Sequence, residues 1–164
     1  MSPTMRAIAA ALSLACLMPI VAQAEIEQRI SAESVLKGLN VSVSTVDRSD
    51  RGLRRERWGI PGVEGAQLEL IGNDRADADS LSWRCVEYRH DGSYASLRSK
   101  GSSCRAIAVK ILAHFVAEPD LVFDVLVAQP TQKQLDSPAF ETDAMRLQAT
   151  SDGYGSVRKR ATRR

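Results

Sequence analysis

The sequence predicts an α+β domain: a mainly antiparallel sheet of four to six strands, two helices and one disulfide. Three observations lead there. Apolar and polar residues alternate, with the period of a half-buried strand, in residues 41–46, 66–71, 81–89 and 144–150. Residues 25–39 and 103–117 instead carry apolar positions at helical spacing. Strands and helices do not follow one another in the regular alternation that a parallel sheet with crossover helices requires.

The first segment reads as an address rather than as part of the fold. Arg6 precedes the apolar run 7–18, and Ala22-Gln23-Ala24 forms a small-x-small ending before Glu25. Those are the three parts of a secretory signal, so cleavage after Ala24 and export to a periplasmic or extracellular space are expected. Pro19 stops the apolar run short of the roughly 20 residues that a spanning helix needs. Cys16 raises lipid attachment as a second route, but Ser13 and Leu14 stand before it in the reverse of the favoured order, which makes a lipoprotein the weaker expectation.

In the mature chain, residues 25–39 place Ile26, Ile30, Val35, Leu36 and Leu39 on one side and end on Gly38 and Asn40, predicting a short amphipathic helix. Val41-Ser-Val-Ser-Thr-Val46 predicts a strand. Residues 47–57 are charged and poor in apolar side chains, predicting a flexible solvated loop. After the turn chemistry of Trp58-Gly-Ile-Pro-Gly62, residues 66–71 resume strand alternation, and a loop is expected over 72–79.

Residues 81–89 predict a strand, the Asp91-Gly92 pair a tight turn, and residues 94–99 the returning strand of a hairpin. Ser102 and Ser103 supply cap chemistry before the apolar run 106–116, predicting a buried helix over 103–117 with Ser103, Lys110 and His114 on a polar stripe. Residues 121–128 are rich in Val, predicting a buried strand, with a helix started by Pro119-Asp120 as the alternative. Two prolines and polar residues fill 129–140, residues 144–150 predict a last strand, and 151–155 a turn leading into a basic tail at 158–164. One α+β domain over 25–157 is thus expected, a size that suits a single core.

Of the three cysteines, Cys16 falls in the predicted signal, leaving Cys85 and Cys104. An even pair in an exported chain predicts a disulfide, which would close a loop of about 20 residues and stabilise by roughly 3 kcal/mol. Metal ligation is not expected, because two Cys and two His at these spacings make no zinc site. Charge is unevenly spread. The 22 basic and 20 acidic residues nearly balance, yet residues 25–157 carry 16 basic against 20 acidic, and five of the last seven residues are basic.

No phosphate loop, dinucleotide fingerprint or zinc-hydrolase motif occurs, so no cofactor is expected. The only histidines, His90 and His114, are the weak catalytic candidates. His90-Asp91 with Ser93 has the residue types of a hydrolytic triad, but adjacent residues in a tight turn point apart. His114 has Lys110 and Glu118 at helical spacing, an arrangement equally suited to a half-buried helix-end histidine. The carboxylates Glu64, Glu69, Asp74, Asp77 and Asp79 lack a spacing that pairs them for glycosidic chemistry, and residues 73–79 lack the Gly and terminal Glu of a calcium loop.

Arg48, Arg51, Arg54, Arg55 and Arg57 before Trp58 have the makings of a nucleic-acid patch, but Asp47, Asp50 and Glu56 dilute it and an exported protein would not meet that partner. The expectation is a small exported non-enzymatic binding protein with a protein partner in the cell envelope, such as an accessory factor, an inhibitor or an immunity-type protein. Candidate binding residues are Trp58, Tyr88 and Tyr94, because aromatics dominate interface energetics. Arg158, Lys159, Arg160, Arg163 and Arg164 are candidates for contact with anionic lipid or polysaccharide. A small hydrolase using His90 or His114, and an envelope adaptor held by the basic tail, are the competing expectations. Trp83, beside Cys85, is expected in the core.

Overall fold

The computed structural model describes residues 28–93, 97–128 and 139–160. Within them the chain forms helix α1 (Ala32–Leu36), strands β1 (Ser42–Arg48), β2 (Arg54–Gly59), β3 (Gln67–Ile71) and β4 (Ser80–Arg84), helices α2 (Ser103–Leu112) and α3 (Pro119–Ala128), and strands β5 (Ala139–Glu141), β6 (Met145–Ala149) and β7 (Tyr154–Lys159). The predicted signal, Tyr94, the segment 129–138, and Arg163 and Arg164 lie outside the described residues.

All seven strands join one antiparallel sheet in the order β1-β2-β3-β4-β7-β6-β5. The α+β class and the mainly antiparallel sheet are as predicted, and the strand count exceeds the expected four to six. The first four strands form a meander. The chain then leaves the sheet for α2 and α3, re-enters at the far edge as β5, and zips back so that β7 closes against β4.

One of the added strands, β2, is hidden in the sequence by its charge. Residues 47–57 are not a flexible loop: they hold the end of β1, a turn and most of β2. The turn closes with the Ser49 amide donating to Leu53 O at 2.8 Å and the Gly52 amide to Ser49 O at 2.8 Å. In β2, Glu56 and Trp58 point inward while Arg55 and Arg57 point out. Strand alternation is present, but a buried glutamate occupies one of the inward positions and hides it. Glu56 is 2% exposed, and its carboxylate is held by Arg54 at 2.6 Å and Arg75 at 3.2 Å. A buried charge needs such partners, since desolvation otherwise costs several kcal/mol.

Residues 121–128 form helix α3, the alternative to the predicted strand. Pro119 sits at the helix start, where its missing N–H costs nothing, and Asp120 lies in the first turn. Val122, Phe123, Leu126 and Val127 form the buried stripe, a helical pattern that the run of apolar residues on both sides conceals. Helix α2 is shorter than expected and is capped by Ser102, whose hydroxyl accepts from the Arg105 amide at 3.1 Å. Its buried residues include one charged side chain, Arg105. Helix α1 begins only at Ala32, because Ile30 is drawn into a bridge with Ala78.

The predicted returning strand at 94–99 lies partly outside the described residues, and among the described ones the hairpin over 81–99 is only partly formed. The turn exists, with the Gly92 amide donating to Arg89 O at 2.9 Å and the Arg89 amide to Ser93 O at 2.8 Å. Strand β4, however, ends at Arg84, and its sheet neighbours are β3 and β7. Leu97 to Lys100 lie in turns. What diverts the chain is Cys85, whose disulfide to Cys104, with Cα atoms 5.3 Å apart, pulls the segment toward the start of α2. The pairing is the one predicted. Cys104 also donates its amide to Glu87 Oε1 at 2.9 Å, placing a carboxylate at the helix N-terminus.

One contiguous core lies on the helix side of the sheet, joining Trp58, Leu68, Leu81, Leu147 and Val157 to Ile111, Leu112 and Phe123. Trp83 is in this core as expected, and its indole passes over Gly155 of β7, where a β-carbon would collide with the ring. Gly153, at φ +99°, likewise lets the backbone of Cys85 approach and donate to Gly153 O at 2.8 Å. The two helices are fastened by Arg105, 3% exposed, which donates to Asp124 and, at 2.9 Å, to Asp120, with its guanidinium 5.1 Å from the Phe123 ring centroid.

Candidate ligand-binding groove on the open sheet face

Because side chains alternate along each strand, the positions between the core residues make up the other face of the sheet. The register aligns Glu69, Ser82, Ser156 and Gln148 in one row across β3, β4, β7 and β6. The two central strands contribute serines to this row and longer side chains on either side of it, so the middle of the face is sunken. A groove of about 420 Å³ results, a volume typical of small-molecule sites.

Its two ends differ. At one, Arg84 stands opposite Tyr154, with its guanidinium carbon 5.3 Å from the ring centroid. At the other, Arg158 stands opposite Ser80, exposed and without an ion pair among the described residues. Arg57 and Glu69 form the outer wall, paired at 3.0 Å. Beyond them Asp47 binds Arg55 at 2.6 Å and Arg57 at 3.4 Å, and the Arg55 guanidinium holds the Asp47 carboxyl below its usual value. A smaller depression of about 240 Å³, lined by Glu64, Val86 and Tyr88, shares Gln67 and Arg84 with the first.

Of the arginine-rich segment that suggested a nucleic-acid patch, Arg55 and Arg57 are spent on cross-strand ion pairs, Arg54 on Glu56 in its own strand, and Arg48 on the Gly52 carbonyl at 2.7 Å. The basic end is similarly reassigned. Residues 158 and 159 belong to β7 and not to a tail. Lys159 turns to the loop 72–79, pairing with Asp77 Oδ2 at 2.9 Å and donating to its carbonyl at 2.8 Å. Arg160 donates to Thr142 O at 3.0 Å and lies 3.5 Å from Glu141. Of the three described basic candidates, Arg158 alone faces the groove.

Trp58 is 1% exposed and serves the core, so it is no surface contact; the aromatic anchor of a turn became an inward position of β2. Tyr88 is 63% exposed at the rim of the smaller depression. Neither His90 nor His114 lines the groove. In the turn, Asp91 accepts the Ser93 amide at 2.9 Å and its hydroxyl at 2.6 Å, which lowers the Asp91 pKa and leaves no imidazole between the two groups. His114 is half-buried just past α2, edge-on to Phe115.

Among the described residues no group of three or more His, Cys, Asp or Glu side chains could hold a metal. In the aspartate-rich loop, Asp74 accepts the Ala76 amide at 2.8 Å and Asp77 is taken by Lys159. A second surface, the outer side of α3, exposes Leu121 at 58% and Val125 at 52%, an apolar pair one helical turn apart. No described helix is long and apolar enough to cross a membrane.

Sequence reasoning missed the groove because its parts lie in strands 70 residues apart in sequence. Ser82 and Ser156 carry no motif, and only the pairing of β4 with β7 makes them neighbours. No known protein family, curated protein or solved structure matches the chain.

Proposed function

We propose that the chain is a small exported binding protein whose working surface is the open face of the sheet, centred on the groove over Ser82 and Ser156. The observation that carries this reading is the division of labour between faces: among the described residues the helices and the apolar core occupy one side, and the other holds a concave, polar, partly cationic groove. The groove floor belongs to paired strands closed by the disulfide-tied segment, so it is preorganised, and preorganisation lowers the entropic cost of binding. The Cys85–Cys104 bridge is compatible with an oxidising compartment and so with the export signal expected at 1–24.

Two measurements test this. The mass of the protein recovered from its own envelope should match cleavage after Ala24. Capture from that envelope should yield partners or ligands that a groove-filling Ser82→Trp variant fails to retain; equal recovery by the variant and the native protein would sink the reading.

A further inference from the structure

Resting on that reading, we infer that the groove recognises an acidic saccharide. A ligand there meets side chains only, because the main-chain donors and acceptors of β3, β4, β7 and β6 point within the sheet and are used by neighbouring strands. An extended peptide bound by main-chain pairing would instead go to a sheet edge. The side chains on offer combine two chemistries. Ser82 and Ser156 present hydroxyls that no other described side chain engages, and beside them lie Gln148 and the Glu69 carboxylate. Donors and acceptors of this kind suit a ligand rich in hydroxyls, which needs both.

Arg84 and Arg158 add the second chemistry. They bracket the serine pair from positions four residues apart along the strands, about 13 Å at the rise of an extended chain. Arg158 has no counter-ion among the described residues, and Arg84 rests against the Tyr154 ring, which orients it. An anionic group on the ligand complements both. Glu69 disfavours a densely acidic peptide, whose successive carboxylates it would repel, but it accepts readily from sugar hydroxyls. The outer apolar pair on α3, by contrast, has nothing that specifies its occupant.

The test is calorimetric titration of the mature, disulfide-bonded protein with trigalacturonate, which carries carboxylates, and glucose 6-phosphate, which carries a phosphate, against maltotriose, inorganic phosphate and a hexaglutamate peptide. At least one acidic sugar should bind saturably, and the tighter of the two identifies the anion. Arg84→Ala and Arg158→Ala, both exposed positions that should leave the melting temperature nearly unchanged, should each weaken that binding about ten-fold or more, as expected for a lost charge-assisted hydrogen bond. Maltotriose should bind at least about ten-fold more weakly for want of that bond.

Binding of hexaglutamate or inorganic phosphate as tightly as the sugars overturns the inference, as does sugar binding that ignores both arginines or no sugar binding at all. If the sugars fail while Ser82→Trp still abolishes capture of an envelope component, the groove remains the working surface and only its ligand class is wrong.

Discussion

The indole of Trp83 on β4 lies across Gly155 on β7, in the space where any other residue would place its β-carbon. This contact lies within the β4–β7 ladder, where two segments far apart in sequence meet, directly beneath the groove. Gly155→Ala should therefore force the ring from its rotamer or part the strands, at a cost of about 2–4 kcal/mol, in the range of severe overpacking. Urea unfolding should show the loss. The tryptophan emission should shift as well, and a variant with native stability and unchanged emission would show that the ring does not occupy that place.

Arg105 and its two aspartates make an asymmetric pair of experiments. Arg105→Met removes a buried cation and leaves behind carboxylates that are more than half exposed and can be hydrated, so a cost of only about 1–2 kcal/mol is expected. The double change Asp120→Asn with Asp124→Asn leaves the buried guanidinium without a countercharge and should cost more, about 3–5 kcal/mol. Urea midpoints of the two variants, measured side by side, decide the order. The reverse order would mean that the ion pairs are dispensable to α2 and α3.

The same contact predicts a response to acid. The Arg105 guanidinium holds the Asp124 carboxyl below its ordinary value of 3.8. A carboxyl whose folded pKa is depressed contributes stability that is complete above the unfolded value and lost as pH falls through the folded one. Stability should thus be flat above about pH 5 and decline below about pH 4. Asp124→Asn should flatten part of that decline, and urea titrations at pH 6, 4 and 3 measure it. Exposure of Asp124 to solvent keeps the effect modest.

Reduction of Cys85–Cys104, or its replacement by serines, should cost roughly 3 kcal/mol for a loop of this length. Because the bridge anchors the start of α2 beside the end of β4, the amides of 85–104 should lose hydrogen-exchange protection before those of β2 and β3. Uniform loss across the sheet would show that the bridge acts only on the unfolded chain.

Much of this architecture is visible in the linear chain, and two of the exceptions, β2 and α3, share one cause. Residues 66–71 and 144–150 read correctly as strands because their inward positions are all apolar. Residues 54–59 did not, because Glu56 sits where an apolar residue would have announced β2. Residues 121–128 read as a strand because Leu121 and Val125 are apolar on the exposed side of α3, erasing the helical stripe. In both cases the burial pattern is regular in space, and the side-chain chemistry disguises it.

By itself the sequence determined the α+β class, the disulfide partners, the buried role of Trp83 and the cap at the start of α2, because each rests on local periodicity, cap chemistry or the pairing of two cysteines. Only the tertiary structure decided that Arg158 belongs to a groove while Lys159 and Arg160 are bound to the body of the protein. It alone joined Ser82 to Ser156 and placed Arg105 between two aspartates. Those outcomes depend on which strands pair and in what register, which is set by the packing of the whole core and is written in no single stretch of residues.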